Sequence, residues 1–96
     1  MSSTWKKVEL EICKTFGGSR SGPVGKDGPD CKDTGIFAVQ VKHGKQIPAG
    51  IQHFMEQTVR DAPKDSLPTL VMHPYGKSIG ESLVVFRLKD FKEWYL

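Results

Sequence analysis

GPDCKDTGIFAVQVKHGK, residues Gly28 to Lys45, runs a Pro-Asp pair through a short turn-like segment into an apolar, β-branched stretch. Side chains on a strand alternate between faces. Ile36, Ala38, Gln40 and Lys42 therefore share one face, and Phe37, Val39 and Val41 share the other. The second face is uniformly apolar and reads as core. The first carries an amide and an ammonium side by side, close in sequence to Asp30. Such a polar group on a rigid element is either a site or an edge device, with Lys42 blunting strand-to-strand aggregation and Gln40 pairing across the sheet.

Upstream, Thr4 fits a helix N-cap and is followed by WKKVELEICKTF. Trp5, Val8, Ile12 and Phe16 fall on one helical stripe, and Gly17-Gly18 supplies the stop, so this helix is expected to end near Phe16. Its acids, Glu9 and Glu11, belong in solvent unless one borders the stripe. Glu9, one step from Val8 and three from Ile12, is the better placed to reach inward. Residues 19–28, SRSGPVGKDG, read as a loop or irregular edge hairpin. With Arg20 and Lys26 interspersed, that segment either contacts phosphates beside a polar site or is a surface loop with no partner.

Downstream of the Pro-Asp pair, residues 30–32 are expected as a short strand. It turns through Asp33-Thr34-Gly35 into a strand over 36–43. Gly44 and Pro48 bracket a linker, and a helix is expected over 48–62 with Pro48 in its first turn. Ile51, Met55, Thr58, Val59 and Ala62 line its buried side; His53 and Gln57 flank it, with Phe54 at the margin. LPTLVMH (67–73) and SLVVFRL (82–88) read as interior strands covered on both faces, because their apolar runs are nearly continuous. PYGKSIGE between them is a loop. Asp90 can cap a last short helix carrying Phe91, Trp94 and Tyr95. The expected architecture is a single α/β domain, residues 1–96, with a small mixed central sheet flanked by helices.

The chain has 96 residues, 38% hydrophobic and 26% charged, with a net charge of +3 and an isoelectric point near 9.0. That size suits one modest core. That charge permits a polyanionic partner without requiring one. No apolar run approaches a membrane span, and the polar N-terminus MSSTWKKVEL carries no signal-peptide pattern. Cys13 and Cys31 lack metal-ligand spacing, as do the three histidines. Two free thiols in a reducing cytosol are expected.

Glu9 on a first helix, Pro29-Asp30, Gln40-Val41-Lys42 on a strand and a following helix together resemble the PD-(D/E)XK nuclease superfamily. Within it, the chain is similar to small phage and bacterial proteins of the Holliday-junction-resolvase kind. WKKVELEICKTFGGSR, VQVKHGKQIP, a helix carrying Gln57, and LPTLVMHPYGK with SLVVFRLKDF extend the resemblance over nearly the whole chain. It implies a restriction-endonuclease-like fold and a metal-dependent DNA endonuclease, acting on branched DNA, as a cytoplasmic homodimer with no membrane attachment. The rival is a catalytically impaired DNA-binding or assembly module that keeps the fold.

The resemblance also implies roles. Asp30 would be the central ligand of Mg²⁺ or Mn²⁺, with Gln40 the second and the Val41 carbonyl a third; Glu9 would touch the metal directly or through water. Lys42 would orient or deprotonate the attacking water and stabilise developing charge. Such an ion acidifies water and clamps phosphate oxygens, as phosphodiester hydrolysis requires. Gln40 stands where the superfamily usually has Glu or Asp, and an amide brings a dipole instead of a charge. That donor set suits one metal better than two. Gln57 would orient the lysine or the metal's water, or is an ordinary helix-face glutamine. His73 is a strand-end histidine or a proton shuttle. His43, opposite Lys42, would contact the surface or the DNA backbone. Arg20, Lys26, Lys32, Lys45 and Lys77 would neutralise phosphates or serve as solubilising charge.

Overall fold

In the computed structural model, which describes residues 2–22 and 28–96, the first element is helix α1 (Ser2–Thr15). Thr4 lies inside it rather than at its cap. Its inward side is Val8, Glu9, Ile12, Cys13 and Phe16, the spacing of one helical face. The expected stripe is thus rotated slightly: Trp5 is 41% exposed and Glu9 is buried, at 4% exposure.

The glycine pair ends α1 as a Schellman motif. Gly17 has φ +90°, its N–H donates to the Lys14 carbonyl, and the Gly18 N–H donates to the Cys13 carbonyl, both at 2.9 Å. The pattern satisfies carbonyls that the helix end would otherwise orphan. Gly18 has a second reason to be glycine. A Cβ there would lie 1.9 Å from the Lys32 carbonyl oxygen.

This close approach seats strand β1 (Ser19–Arg20) antiparallel to β2 (Cys31–Lys32), with Ser19 opposite Lys32 and Arg20 opposite Cys31. The short strand near Asp30 therefore pairs upstream, not with residues 36–43. A turn over Thr34–Phe37 follows, closed by the Phe37 N–H on the Thr34 carbonyl at 3.1 Å and the Thr34 hydroxyl on the Phe37 carbonyl at 2.5 Å.

Residues 36–42 keep the expected alternation. Phe37, Val39 and Val41 turn inward, whereas Ile36, Ala38, Gln40 and Lys42 are exposed. They nevertheless form no strand ladder. Among the described residues the expected mixed central sheet is replaced by two separate two-stranded antiparallel sheets.

The expectation of free thiols is corrected. α1 and β2 bring Cys13 and Cys31 to a Cα–Cα distance of 5.3 Å, and they form a disulfide. Both are buried and, with Val41, make up the core of residues 1–47, against which Ile12 and Val39 pack. Phe16 and Phe37 close one side, ring centroids 5.3 Å apart.

Residues 48–96 form a second compact unit. Helix α2 (Ala49–Asp61) starts after Pro48 and buries Met55, with Ile51, Thr58, Val59 and Ala62 half-buried beside it, as the sequence predicts. β3 (Leu70–Met72) and β4 (Leu83–Val85) pair antiparallel, Val71 opposite Val84. Both strands are shorter than expected and are not covered on both faces, since Val71 and Val84 are 57% and 56% exposed. In helix α3 (Leu88–Tyr95) the N-cap position is held by Arg87, without a side-chain capping bond, and not by Asp90. Asp90 sits within its first turn and receives the Arg87 Nε–H at 2.7 Å and an Nη2–H at 3.2 Å. Phe91 packs between Phe86 and Tyr95.

Among the described residues the chain is a small α/β protein of three α-helices and two antiparallel two-stranded sheets.

Candidate active site

Asp30 is the residue around which the polar groups of the first unit gather. Its backbone carbonyl accepts from the Ser21 N–H at 2.9 Å, which continues the β1–β2 pairing. Its N–H faces the other way and donates to the Val39 carbonyl at 2.8 Å. A parallel bridge centred on Gln40 would next bring the Val41 N–H to the Asp30 carbonyl. That carbonyl is already engaged, and the Asp30 carboxylate takes its place, with Oδ2 accepting from the Val41 N–H at 2.7 Å. The carboxylate is thereby locked alongside the backbone of Gln40 and Val41. Pro29 helps set the approach, its carbonyl accepting from the Ser21 hydroxyl at 2.8 Å.

The Asp30 side chain thus takes the place of a ladder carbonyl at Val41. Asp30 Oδ2 is spent on the backbone, while Oδ1 has no hydrogen bond among the described residues. Gln40 and Lys42 lie on the exposed face of the same segment, and Val41 between them is buried. The structure therefore brings Asp30, Gln40 and Val41 together, with Lys42 one strand repeat further on.

Glu9 is placed differently. Its Oε1 accepts from the Arg20 Nε–H at 2.6 Å, and the Arg20 guanidinium lies 5.8 Å from the centre of the Trp5 ring. Trp5 and Glu9 are one helical turn apart, so both reach the same guanidinium. Arg20, read from sequence as a phosphate contact, is thus engaged within the fold. The missed signal was the i, i+4 Trp-Glu pair at the edge of the α1 stripe.

Lys32, His43 and Lys45 are exposed in the first unit. Lys26 lies outside the described residues. Gln57, His73 and Lys77 belong to the second unit. Gln57 is exposed on α2. His73 Nε2 donates to the Lys77 carbonyl at 2.7 Å, which fixes the tautomer and ties down a turn. An open hollow of about 540 Å³ on α2 is lined by Met55 and Val59 with Gln52, Glu56, Arg60 and Arg87; none of the expected site residues contributes to it.

Among the described residues no three His, Cys, Asp or Glu side chains form a metal-holding group, and no helix is long and apolar enough to cross a membrane. No protein-family model matches the chain, and no curated protein and no solved structure matches it significantly.

Proposed function

We propose that the chain is a metal-dependent DNA endonuclease with a restriction-endonuclease-like ancestry, acting on branched DNA as a homodimer in the cytoplasm of a bacterial or phage-infected cell. The observation that carries the reading is the Asp30 carboxylate held against the backbone of Gln40 and Val41 with one oxygen to spare. Mg²⁺ is commonly bound through one or two carboxylates, with waters and substrate phosphate completing its shell. The donor set suits that pattern for one ion: Asp30, the Gln40 amide and the Val41 carbonyl would hold it, while Glu9 is paired with Arg20.

When bound, such an ion supplies an activated water and stabilises phosphate charge. The chain's own residues do the rest. Asp30, immobilised by its bond to Val41, orients the cluster without side-chain reorganisation. Lys42, exposed beside Gln40, places a positive charge where an attacking water loses its proton and the phosphate gains charge. Lys32, His43 and Lys45 hold the backbone of the substrate.

Glu9 favours the second reading, a DNA-binding module with an impaired site. Its pairing with Arg20 leaves Asp30 as the one carboxylate in the cluster. Asp30→Asn separates the readings well, because its amide oxygen still accepts from the Val41 N–H while the charge is lost. The nuclease reading expects Mg²⁺- or Mn²⁺-dependent cleavage of four-way, nicked or linear DNA by the wild type and none by Asp30→Asn. Retained cleavage in the variant refutes the assignment of Asp30. Binding without cleavage by the wild type under both ions selects the module.

A further inference from the structure

Strand β4 leaves one edge of its sheet open. It pairs with β3 alone, and among the described residues Leu83, Val84 and Val85 make no backbone hydrogen bond outside that ladder. Ser82 and Arg87, on either side, are extended as well, with φ, ψ of −64°, 150° and −72°, 140°. An edge of this kind presents a row of N–H and C=O groups to which another strand can add, and proteins ordinarily blunt it with a charge or a proline. The other strands are blunted in this way: β1 contains Arg20, β2 contains Lys32, and β3 lies between Pro68 and Pro74. From Ser82 to Phe86 there is neither a charge nor a proline. Exposed hydrophobes occur elsewhere on the chain, but among the described strands the unguarded edge is confined to β4.

This edge is complementary to itself. When two copies pair antiparallel about Val84, each residue meets the one equally far on the other side of that centre. Leu83 then faces the partner's Val85, Ser82 the partner's Phe86, and Glu81 the partner's Arg87. The middle of the ladder is apolar and each end closes on opposite charges, an arrangement that favours cross-strand pairing. Moving the register by one residue sets Glu81 opposite Phe86 or Leu88 and loses both charge pairs. Both charged groups keep capacity for the contact. Glu81 accepts from Ser78 through Oε2 alone, and Arg87 donates to Asp90 through Nε and Nη2, leaving Nη1. Val71 and Val84, directly opposite each other, share the outer face, so joining two sheets at β4 lines up four valines in one row.

We propose that β4 is the seam of a twofold dimer, in which two copies of the chain join antiparallel about Val84 into a four-stranded sheet ordered β3–β4–β4–β3. The contact is isologous, the same edge serving both copies. It satisfies the open backbone row and covers Leu83 with the partner's Val85. The proposal rests on the reading above only for its expectation of two copies, and adds to it the surface through which they meet.

The test uses the full chain in sedimentation. The wild type is expected as a dimer. Val84→Lys sets two ammonium groups opposite each other at the twofold and is expected as a monomer at the same concentration, with its far-ultraviolet circular dichroism unchanged because Val84 is exposed. A second measurement does not depend on that variant. Residues directly opposed across antiparallel strands have Cα atoms about 4.5–5.5 Å apart, inside the range a disulfide spans, about 4.4–6.8 Å. Val84→Cys should therefore give a covalent dimer on oxidation with copper phenanthroline. Val71→Cys is equally exposed but three strand spacings, about 14 Å, from its counterpart, and should not. A monomeric wild type, a dimer that survives Val84→Lys, or equal cross-linking of the two cysteine variants overturns the seam. DNA cleavage by a monomeric wild type overturns the seam and leaves the nuclease reading standing. A dimer that cross-links through Val84→Cys and cleaves no DNA keeps the seam and overturns the nuclease.

Discussion

Breaking the Cys13–Cys31 bridge tests most directly how the first unit is held together. The bridge spans 18 residues. In the chain-entropy account, closing a loop of that length removes unfolded-state freedom equivalent to about 3 kcal/mol at 25 °C. The buried residues it joins are few: Cys13, Cys31 and Val41, with Ile12 and Val39 partly buried against them. Such a core has little other apolar burial to offset the loss. A loss of that size lowers the melting temperature of a small domain by roughly 12–24 °C.

Two routes should agree. Reduction by dithiothreitol during unfolding leaves the side chains in place, whereas Cys13→Ser with Cys31→Ser adds buried hydroxyls and should cost slightly more. Melting followed by near-ultraviolet circular dichroism gives the shift. Amide exchange locates it: the Val41 N–H, held by the residue preceding Cys31, should lose protection, while the β3–β4 ladder should not. A reduced protein that melts with the oxidised one, or lost protection confined to β3–β4, refutes the reasoning.

Three further perturbations follow from particular contacts. Gly18→Ala places a Cβ against the Lys32 carbonyl oxygen, where the built distance is 1.9 Å; it should cost about 3 kcal/mol or more and separate β1 from β2, visible as lost exchange protection at Ser21. Glu9→Ala should destabilise by about 2 kcal/mol through loss of a charged, largely buried hydrogen bond. A double-mutant cycle with Arg20→Ala should then return a coupling well above that of an exposed ion pair. The hydrogen bond from Arg87 is the main cause holding the Asp90 carboxyl below its ordinary value of 3.8, against an opposing effect of burial. A depressed carboxyl stabilises the fold at pH above its unfolded value and loses that contribution as pH falls through the folded one. The C-terminal helix should therefore weaken below about pH 4, and Asp90→Asn should flatten that dependence in a urea titration monitored at Trp94.

The elements legible in the sequence are those set by local chemistry. The glycine pair after Phe16 announces the end of α1 because glycine adopts the left-handed residue of the Schellman motif without steric cost. The 3.6-residue spacing of Ile51, Met55, Thr58, Val59 and Ala62 announces the buried side of α2. The twofold alternation over 36–42 is visible residue by residue and survives in the structure.

What only the tertiary structure decided is where each hydrogen-bonding group and each charge found its partner. Alternation shows which side chains turn inward, but not whether the backbone between them pairs with a strand or with a carboxylate. Here the Asp30 carbonyl accepts from Ser21, and its side chain accepts from the Val41 N–H. Glu9 and Arg20 are distant in sequence and meet because the Gly18 approach brings β1 back along α1. The same return brings Cys13 to Cys31, a pairing that spacing alone does not specify. Local sequence determined the helices, the turn glycines and the alternation, since those depend on neighbours along the chain. The disulfide, the Glu9–Arg20 pair and the setting of Asp30 depend on neighbours through space, and there the fold was decisive.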